Sequence, residues 1–164
     1  MAPLKQLMAG LMIFGTFALA ACSENETTSE DGTSQPFSSA PLLNPNEATE
    51  AQLAAIGSLT EADVAAIING RPFTSMSALH AAISEGKEPR VIRGLYNEMF
   101  IKVGLNTGSE EDYKLIPSTL SPRHLAHEFE EYRPYSSIDD FAREMKKYVS
   151  TAEVENLKRY VTLD

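Results

Sequence analysis

One short segment places imidazole and carboxylate side chains at helical spacing. It reads His124-Leu-Ala-His127-Glu128-Phe-Glu130-Glu131. Residues three and four positions apart are neighbours on a helix, so the two histidines can share a face with Glu128 and Glu131. Imidazole and carboxylate groups bind zinc, which makes His124 and His127 candidate ligands of a metal-dependent hydrolase. The alternative is a solvated, charged helix face.

The pattern favours the solvated face. Its order differs from both His-Glu-x-x-His and His-x-x-Glu-His, and the only other histidine is His80. The chain also lacks the Gly-x-Ser-x-Gly motif of serine hydrolases and a glycine-rich phosphate loop. We therefore expect no metal, no cofactor and no catalytic activity.

The one cysteine of the 164 residues lies where it predicts lipid attachment. Residues 1–21 combine one basic residue with an uncharged apolar run that is too short to span a bilayer, which is typical of a secretory signal. The end of this segment, Leu19-Ala20-Ala21-Cys22, resembles the lipobox of bacterial lipoproteins. The resemblance implies cleavage before Cys22, acylation of its thiol and membrane attachment through that lipid. The alternative is an ordinary signal peptide that contains a cysteine.

The residue after the cysteine indicates to which membrane a lipoprotein is sent. It is Ser23 rather than an aspartate, and the sorting rule of enterobacterial lipoproteins then implies the outer membrane, facing the periplasm. Residues 22–43 follow as a linker rich in serine, threonine and acidic residues. Such a composition buries too little apolar surface to fold, so we expect a disordered tether.

The remaining residues repeat one pattern twice. Residues 46–56 match residues 106–116 at an offset of 60. Arg71-Pro72-Phe73 matches Arg133-Pro134-Tyr135 at an offset of 62, so two single-residue insertions explain the drift. An ordered series of matches indicates an internal duplication, with copies at 44–104 and 105–164.

Each copy predicts four short helices and no strand, so the expected fold class is all-α. Serine or threonine begins most of these helices as an N-cap, and apolar residues follow at spacings of three and four. The predicted N-caps are Thr49, Thr60, Ser75, Ser109, Ser121, Ser137 and Ser150. Capping boxes are expected at Thr49–Gln52, Ser109–Asp112 and Ser150–Glu153. The apolar stripe of the fourth helix is predicted at Val91, Leu95 and Met99, and in the second copy at Val154, Leu157 and Val161.

The repeated unit resembles the helix-hairpin-helix motif. The first copy reads Asn46-x-Ala48-Thr49-x-x-x-Leu53-x-x-Ile56, then a turn, a second helix and Arg71-Pro72-Phe73. The second copy is similar through Asn106, Ile116-Pro117 and Arg133-Pro134-Tyr135. The likeness is to bacterial competence-type DNA-uptake proteins and to the small extrinsic helix-hairpin-helix protein of photosystem II. It implies two tandem repeats, with either DNA or a protein as the partner.

The hairpins depart from the family pattern. The family hairpin reads Pro-Gly-Ile-Gly or similar, and its backbone N–H groups bind a DNA phosphate. Here the hairpins read Gly57-Ser58-Leu59-Thr60 and Pro117-Ser118-Thr119-Leu120-Ser121. The DNA or anion contacts implied by the resemblance are Ser58, Thr60, Ser118, Thr119, Ser121, Arg123, Arg71 and Arg133. For the two arginines, the alternative is that they bind carbonyls at the end of the preceding helix.

The charge disfavours DNA. The chain has 23 acidic and 14 basic residues, and the net charge is −2 for residues 44–104 and −4 for residues 105–164. Affinity for DNA comes largely from the neutralisation of phosphates by basic residues. We therefore expect a non-enzymatic envelope lipoprotein with a helical scaffold or protein-binding body, with DNA binding as the runner-up and a metal-dependent hydrolase as a distant third.

Overall fold

The computed structural model describes residues 40–164. The predicted signal peptide, Cys22 and residues 23–39 of the predicted linker lie outside the described residues. In the described part no helix is long and apolar enough to cross a membrane.

Eight short helices and one two-stranded sheet make up the secondary structure of residues 40–164, so the described part is mainly helical. In chain order they are α1 (Glu50–Ala54), α2 (Glu61–Gly70), α3 (Met76–Ile83), α4 (Pro89–Tyr96), α5 (Glu110–Lys114), α6 (Pro122–Glu131), α7 (Ile138–Met145) and α8 (Thr151–Leu157). The two strands are β1 (Val103–Gly104) and β2 (Val161–Thr162), which pair in parallel. Helices this short are marginal in isolation, so packing against their neighbours supplies their stability.

The predicted N-caps are confirmed. The side chains of Thr49, Thr60, Ser75, Ser109, Ser121, Ser137 and Ser150 each accept a hydrogen bond from the backbone N–H three residues later. Among the predicted capping boxes only Thr49–Gln52 forms in full. A second, unpredicted box joins Thr60 to Asp63. The other two predicted boxes do not form in full, and their carboxylates reach a distant segment.

The core is continuous from α1 to β2. Its fully buried side chains include Leu53, Ile67, Leu79, Leu95, Tyr113, Phe129, Phe141, Leu157 and Tyr160. Edge-to-face aromatic contacts extend it, for example between Phe129 and Phe141 with ring centroids 5.0 Å apart. Most predicted apolar positions are therefore confirmed as buried.

In the stripe predicted for the fourth helix, Leu95 is buried as expected and Val91 is not. Val91 is 37% exposed, and α4 buries Ile92, Leu95 and Tyr96. The helix begins at Pro89 and ends at Tyr96, so Met99 lies beyond it and reaches the core from the following turn. Val161 likewise lies in β2 and not in the last helix.

Two parallel backbone pairings were not predicted. Leu43 pairs with Met99, and Val103 pairs with Val161. Each pairing joins residues near the two ends of a segment of about 60 residues. The strands could not be predicted, because a run of two residues shows no alternation of apolar and polar side chains. Leu42 and Leu43, which the sequence places in the linker, pack against the core.

Candidate functional site

The second hairpin surrounds a carboxylate of its own chain. Ser118 Oγ donates to Glu153 Oε1 at 2.5 Å, and the backbone N–H of Thr119 donates to the same oxygen at 2.6 Å. The Thr119 hydroxyl donates to the other oxygen, Oε2. Three donors predicted to contact an anion therefore bind Glu153, which is 2% exposed.

The position of Glu153 in α8 brings it to the hairpin. Ser150 caps the helix by accepting from the Glu153 N–H at 3.2 Å. The Glu153 side chain does not close the predicted capping box, because its carboxylate reaches Ser118 and Thr119 in the preceding hairpin. A capping box would give this carboxylate one hydrogen bond, from the N-cap N–H, whereas the hairpin gives it three, which favours the longer-range arrangement.

The first hairpin also faces an internal carboxylate. Asp63 Oδ2 accepts from the Thr60 N–H at 2.8 Å and from the Thr60 hydroxyl at 2.7 Å. Its other oxygen, Oδ1, forms an ion pair with Lys87 Nζ at 2.5 Å. Burial by itself raises the pKa of Asp63, but hydrogen bonds from Lys87 and Thr60 outweigh it and lower the pKa below its ordinary value. Ser58, in the same hairpin, is half-buried.

The remaining predicted hairpin residues lie at the start of α6. Ser121 is its N-cap, and its hydroxyl oxygen accepts from the His124 N–H at 3.3 Å. Arg123 is exposed in the first turn of the helix. The pKa of Glu110 is lowered mainly by its hydrogen bond from Lys114 and to a smaller extent by the charge of Arg123.

The two matched arginines bind backbone carbonyls. Arg71 donates from Nε to Pro45 O and from Nη2 to Ala48 O, both at 2.6 Å. Arg133 donates to Leu105 O at 2.9 Å and to Gly108 O at 2.6 Å. These carbonyls precede α1 and α5, so the predicted alternative, carbonyls at the end of the preceding helix, is wrong.

Arg133 has further contacts that occupy its guanidinium. It donates to the Tyr113 hydroxyl and lies over the Tyr113 ring, 4.8 Å from the centroid. Within residues 40–164 neither Arg71 nor Arg133 hydrogen-bonds a hairpin residue. The structure thus does not gather the arginines and the hairpin donors into one anion site.

The histidine and glutamate side chains of α6 form two separate pairs. His124 Nε2 lies 3.0 Å from Glu128 Oε1, and His127 Nε2 lies 3.3 Å from Glu131 Oε2. Candidate ligand atoms of His127, Glu128 and Glu131 lie within 4.8 Å of one another, so these residues could hold a metal ion. Glu128 is only 4% exposed, so the expectation of a fully solvated face is wrong at this position.

Asp112 connects two distant helix N-termini. Its Oδ2 accepts from the Ser109 hydroxyl at 2.6 Å, and its Oδ1 accepts from the Ser77 N–H at 2.7 Å. Burial by itself raises the pKa of Asp112, but the hydrogen bonds from Ser109 and Ser77 outweigh it and lower the pKa below its ordinary value. Asp112 thus keeps its contact with the Ser109 hydroxyl, and its second oxygen links α5 to α3 where the predicted box would have been completed.

A groove between α4 and the second hairpin was not predicted. It has a volume of about 350 Å³, and its apolar lining includes Ile92, Tyr96, Ile116 and Leu120. No sequence signal indicated it, because its two walls come from segments that are distant along the chain. Comparison of the chain with protein families, with curated proteins and with solved structures found no match.

Proposed function

We propose that the chain is a non-enzymatic envelope lipoprotein whose helical body binds another protein. In this proposal Cys22 carries the lipid, and the protein is held at the outer membrane facing the periplasm. The body consists of two tandem helix-hairpin-helix-like repeats, residues 44–104 and 105–164.

Equivalent contacts support the two repeats. The Asn46 side chain accepts from the Phe73 N–H and donates to the Phe73 carbonyl, at 2.8 and 2.9 Å. The Asn106 side chain makes the same two bonds with Tyr135, at 2.7 and 3.1 Å. The contacts of Arg71 and Arg133 correspond in the same way, with the donors offset by 62 residues and the carbonyls by 60.

The position of the Glu153 carboxylate carries the preference for a protein partner over DNA. A helix-hairpin-helix motif binds DNA with donors of its hairpin, and here Ser118 and Thr119 already bind Glu153. A phosphate would have to displace a buried carboxylate that carries the same sign of charge. A phosphate that took these donors would make charge-assisted bonds of the same kind, but it would leave the buried Glu153 carboxylate without its partners, which costs the desolvation penalty of a buried charge.

Charge adds to this argument. Residues 44–164 contain 19 acidic and 13 basic residues, so the body repels a polyanion at low salt. A protein partner requires no such neutralisation, since interfaces between proteins bury mixed polar and apolar surface.

Crosslinking in cells tests the proposal. A photoreactive amino acid at the exposed position Arg90 should yield one stoichiometric adduct with an envelope protein. The Cys22→Ser variant keeps the body but removes the proposed attachment, so it should leave the membrane fraction and lose the adduct. Absence of a defined adduct from the membrane-attached chain would contradict a scaffold role.

Gel retardation tests the runner-up. The chain from Ser23 onward should not retard duplex DNA even at low salt. Retardation that weakens as salt rises, and that Arg123→Ala abolishes, would establish DNA binding and overturn the preference for a protein.

A further inference from the structure

The groove between α4 and the second hairpin has a mixed lining. One wall is formed by the C-terminal end of α3, Lys87 and α4, and the other by the end of α5, the second hairpin and the start of α6. Ile92 and Tyr96 are buried beneath it, and the Tyr96 hydroxyl is held 2.6 Å from His80 Nδ1. The volume of about 350 Å³ lies at the lower end of the range for ligand pockets, so it suits one large side chain.

All charged side chains that line this groove are cationic. They are Lys87, Arg93 and Lys114, and among the described residues that line it none is acidic. This contrasts with the body as a whole, which carries 19 acidic residues against 13 basic ones. By residue type, the charged lining of the groove is thus opposite in sign to the net charge of the body.

Only one of the three cations is available for a new partner. Lys87 is paired with Asp63, and Lys114 with Glu110 and Glu111. The Arg93 guanidinium is exposed and has no hydrogen bond or ion pair with any of residues 40–164. A guanidinium binds a carboxylate through two parallel hydrogen bonds, so Arg93 favours an acidic group at the rim.

We propose that this groove binds an acidic peptide segment of the partner protein. A large apolar side chain of that segment fills the space over Ile92 and Tyr96, and a neighbouring carboxylate binds Arg93. The inference rests on the proposed function, because it specifies where and by what chemistry the partner is recognised.

A fluorescein-labelled peptide with a central phenylalanine flanked by aspartates is the probe. Fluorescence anisotropy with the chain from Ser23 onward should show saturable binding. Arg93→Glu should weaken it by about tenfold or more, since a hydrogen-bonded charge pair is replaced by repulsion. The matched control is Arg90→Glu, which changes an exposed arginine of the same helix outside the groove and should leave the affinity within about twofold.

Peptide variants test the two parts of the recognition. Replacing the phenylalanine with alanine, or the aspartates with lysines, should abolish binding. Equal effects of Arg93→Glu and Arg90→Glu, or no saturation up to about 1 mM peptide, would overturn the proposal. Equally tight binding of free 3-phenylpropionate would overturn it as well, because the groove would then be a small-molecule site.

Crosslinking in cells distinguishes a failure of the groove proposal from a failure of the proposed function. If Arg93→Glu removes the adduct formed from position 90, the partner binds at the groove. If the adduct persists unchanged in that variant, the groove proposal fails while the protein-binding function stands. If no adduct forms in any variant, the proposed function itself fails.

Discussion

Glu153 decides what the second hairpin can bind. Its two carboxylate oxygens accept from Ser118 and Thr119, whose hydroxyl and N–H groups would otherwise need water or an external anion. The Glu153 carboxylate is buried, and a buried charge without hydrogen-bond partners costs free energy. The carboxylate is therefore both a structural connection from α8 to the hairpin and an obstacle to phosphate.

We expect Glu153→Ala to lower the free energy of unfolding by about 2–3 kcal/mol, because three hydrogen bonds to a charged group are lost. Urea denaturation monitored by circular dichroism measures this loss. The control is Glu155→Ala on the same helix, where an exposed ion pair with Lys158 is removed. That change should cost at most about 0.5 kcal/mol, and equal losses in both variants would contradict the role of the carboxylate.

At the scale of the elements, the arginines after α2 and α6 hold these helices to the segments before α1 and α5. Each guanidinium reaches two carbonyls that lie three residues apart, so its planar geometry spans the turn. An ammonium group is a point charge and does not reproduce that geometry. The arginines are therefore parts of the fold, which explains why matched basic residues need not indicate an anion site.

Arg133→Lys should destabilise the protein by about 1–3 kcal/mol, since the fork of hydrogen bonds to Leu105 and Gly108 is lost. Thermal unfolding is the measurement. Arg143→Lys is the matched control, because Arg143 is exposed and binds only surface carboxylates, those of Asp140 and Glu144. That variant should change stability by no more than about 0.5 kcal/mol. A similar loss in both would show that the carbonyl contacts contribute little.

At the scale of the whole molecule, Asp112 links the two segments that we propose as repeats. It accepts from the Ser77 N–H at the start of α3 while it binds Ser109 at the start of α5. Its pKa is lower in the folded chain than its ordinary value of 3.8. The ionised form therefore stabilises the fold at pH values above that ordinary value, and the contribution is lost as the pH falls through the folded pKa.

Between about pH 5 and about pH 2 the wild-type chain should lose stability more steeply than Asp112→Asn. At pH 5 the variant should be less stable, and the two should converge in acid. Urea denaturation across this range measures both effects. Asp139→Asn removes an exposed carboxylate, and the stability of this control should fall with pH as steeply as that of the wild type. A shallower fall in this control would contradict the assignment of the pH dependence to Asp112.

Much of the fold could be predicted because its signals are local. Seven serine or threonine N-caps and the apolar spacings of α2, α3, α6 and α7 arise from interactions between residues three or four positions apart. The start of α4 shows the limit of such local signals, because Val91 was expected to be buried and is exposed. Val91 and Ile92 are equally apolar neighbours, and only packing decides that Ile92 turns inward.

The sequence by itself determined the helical body, the pattern that recurs within it, its net negative charge and the hydrogen-bond donors of its hairpins. Only the tertiary structure decided what those donors bind. Glu153 and Asp112 have the spacing of local caps, yet each carboxylate binds residues about 35 positions away. A short-range pattern cannot predict such a choice, because it depends on which distant segments the folded core brings together. The groove between α4 and the second hairpin also depends on the folded core, because its two walls come from segments that are distant along the chain.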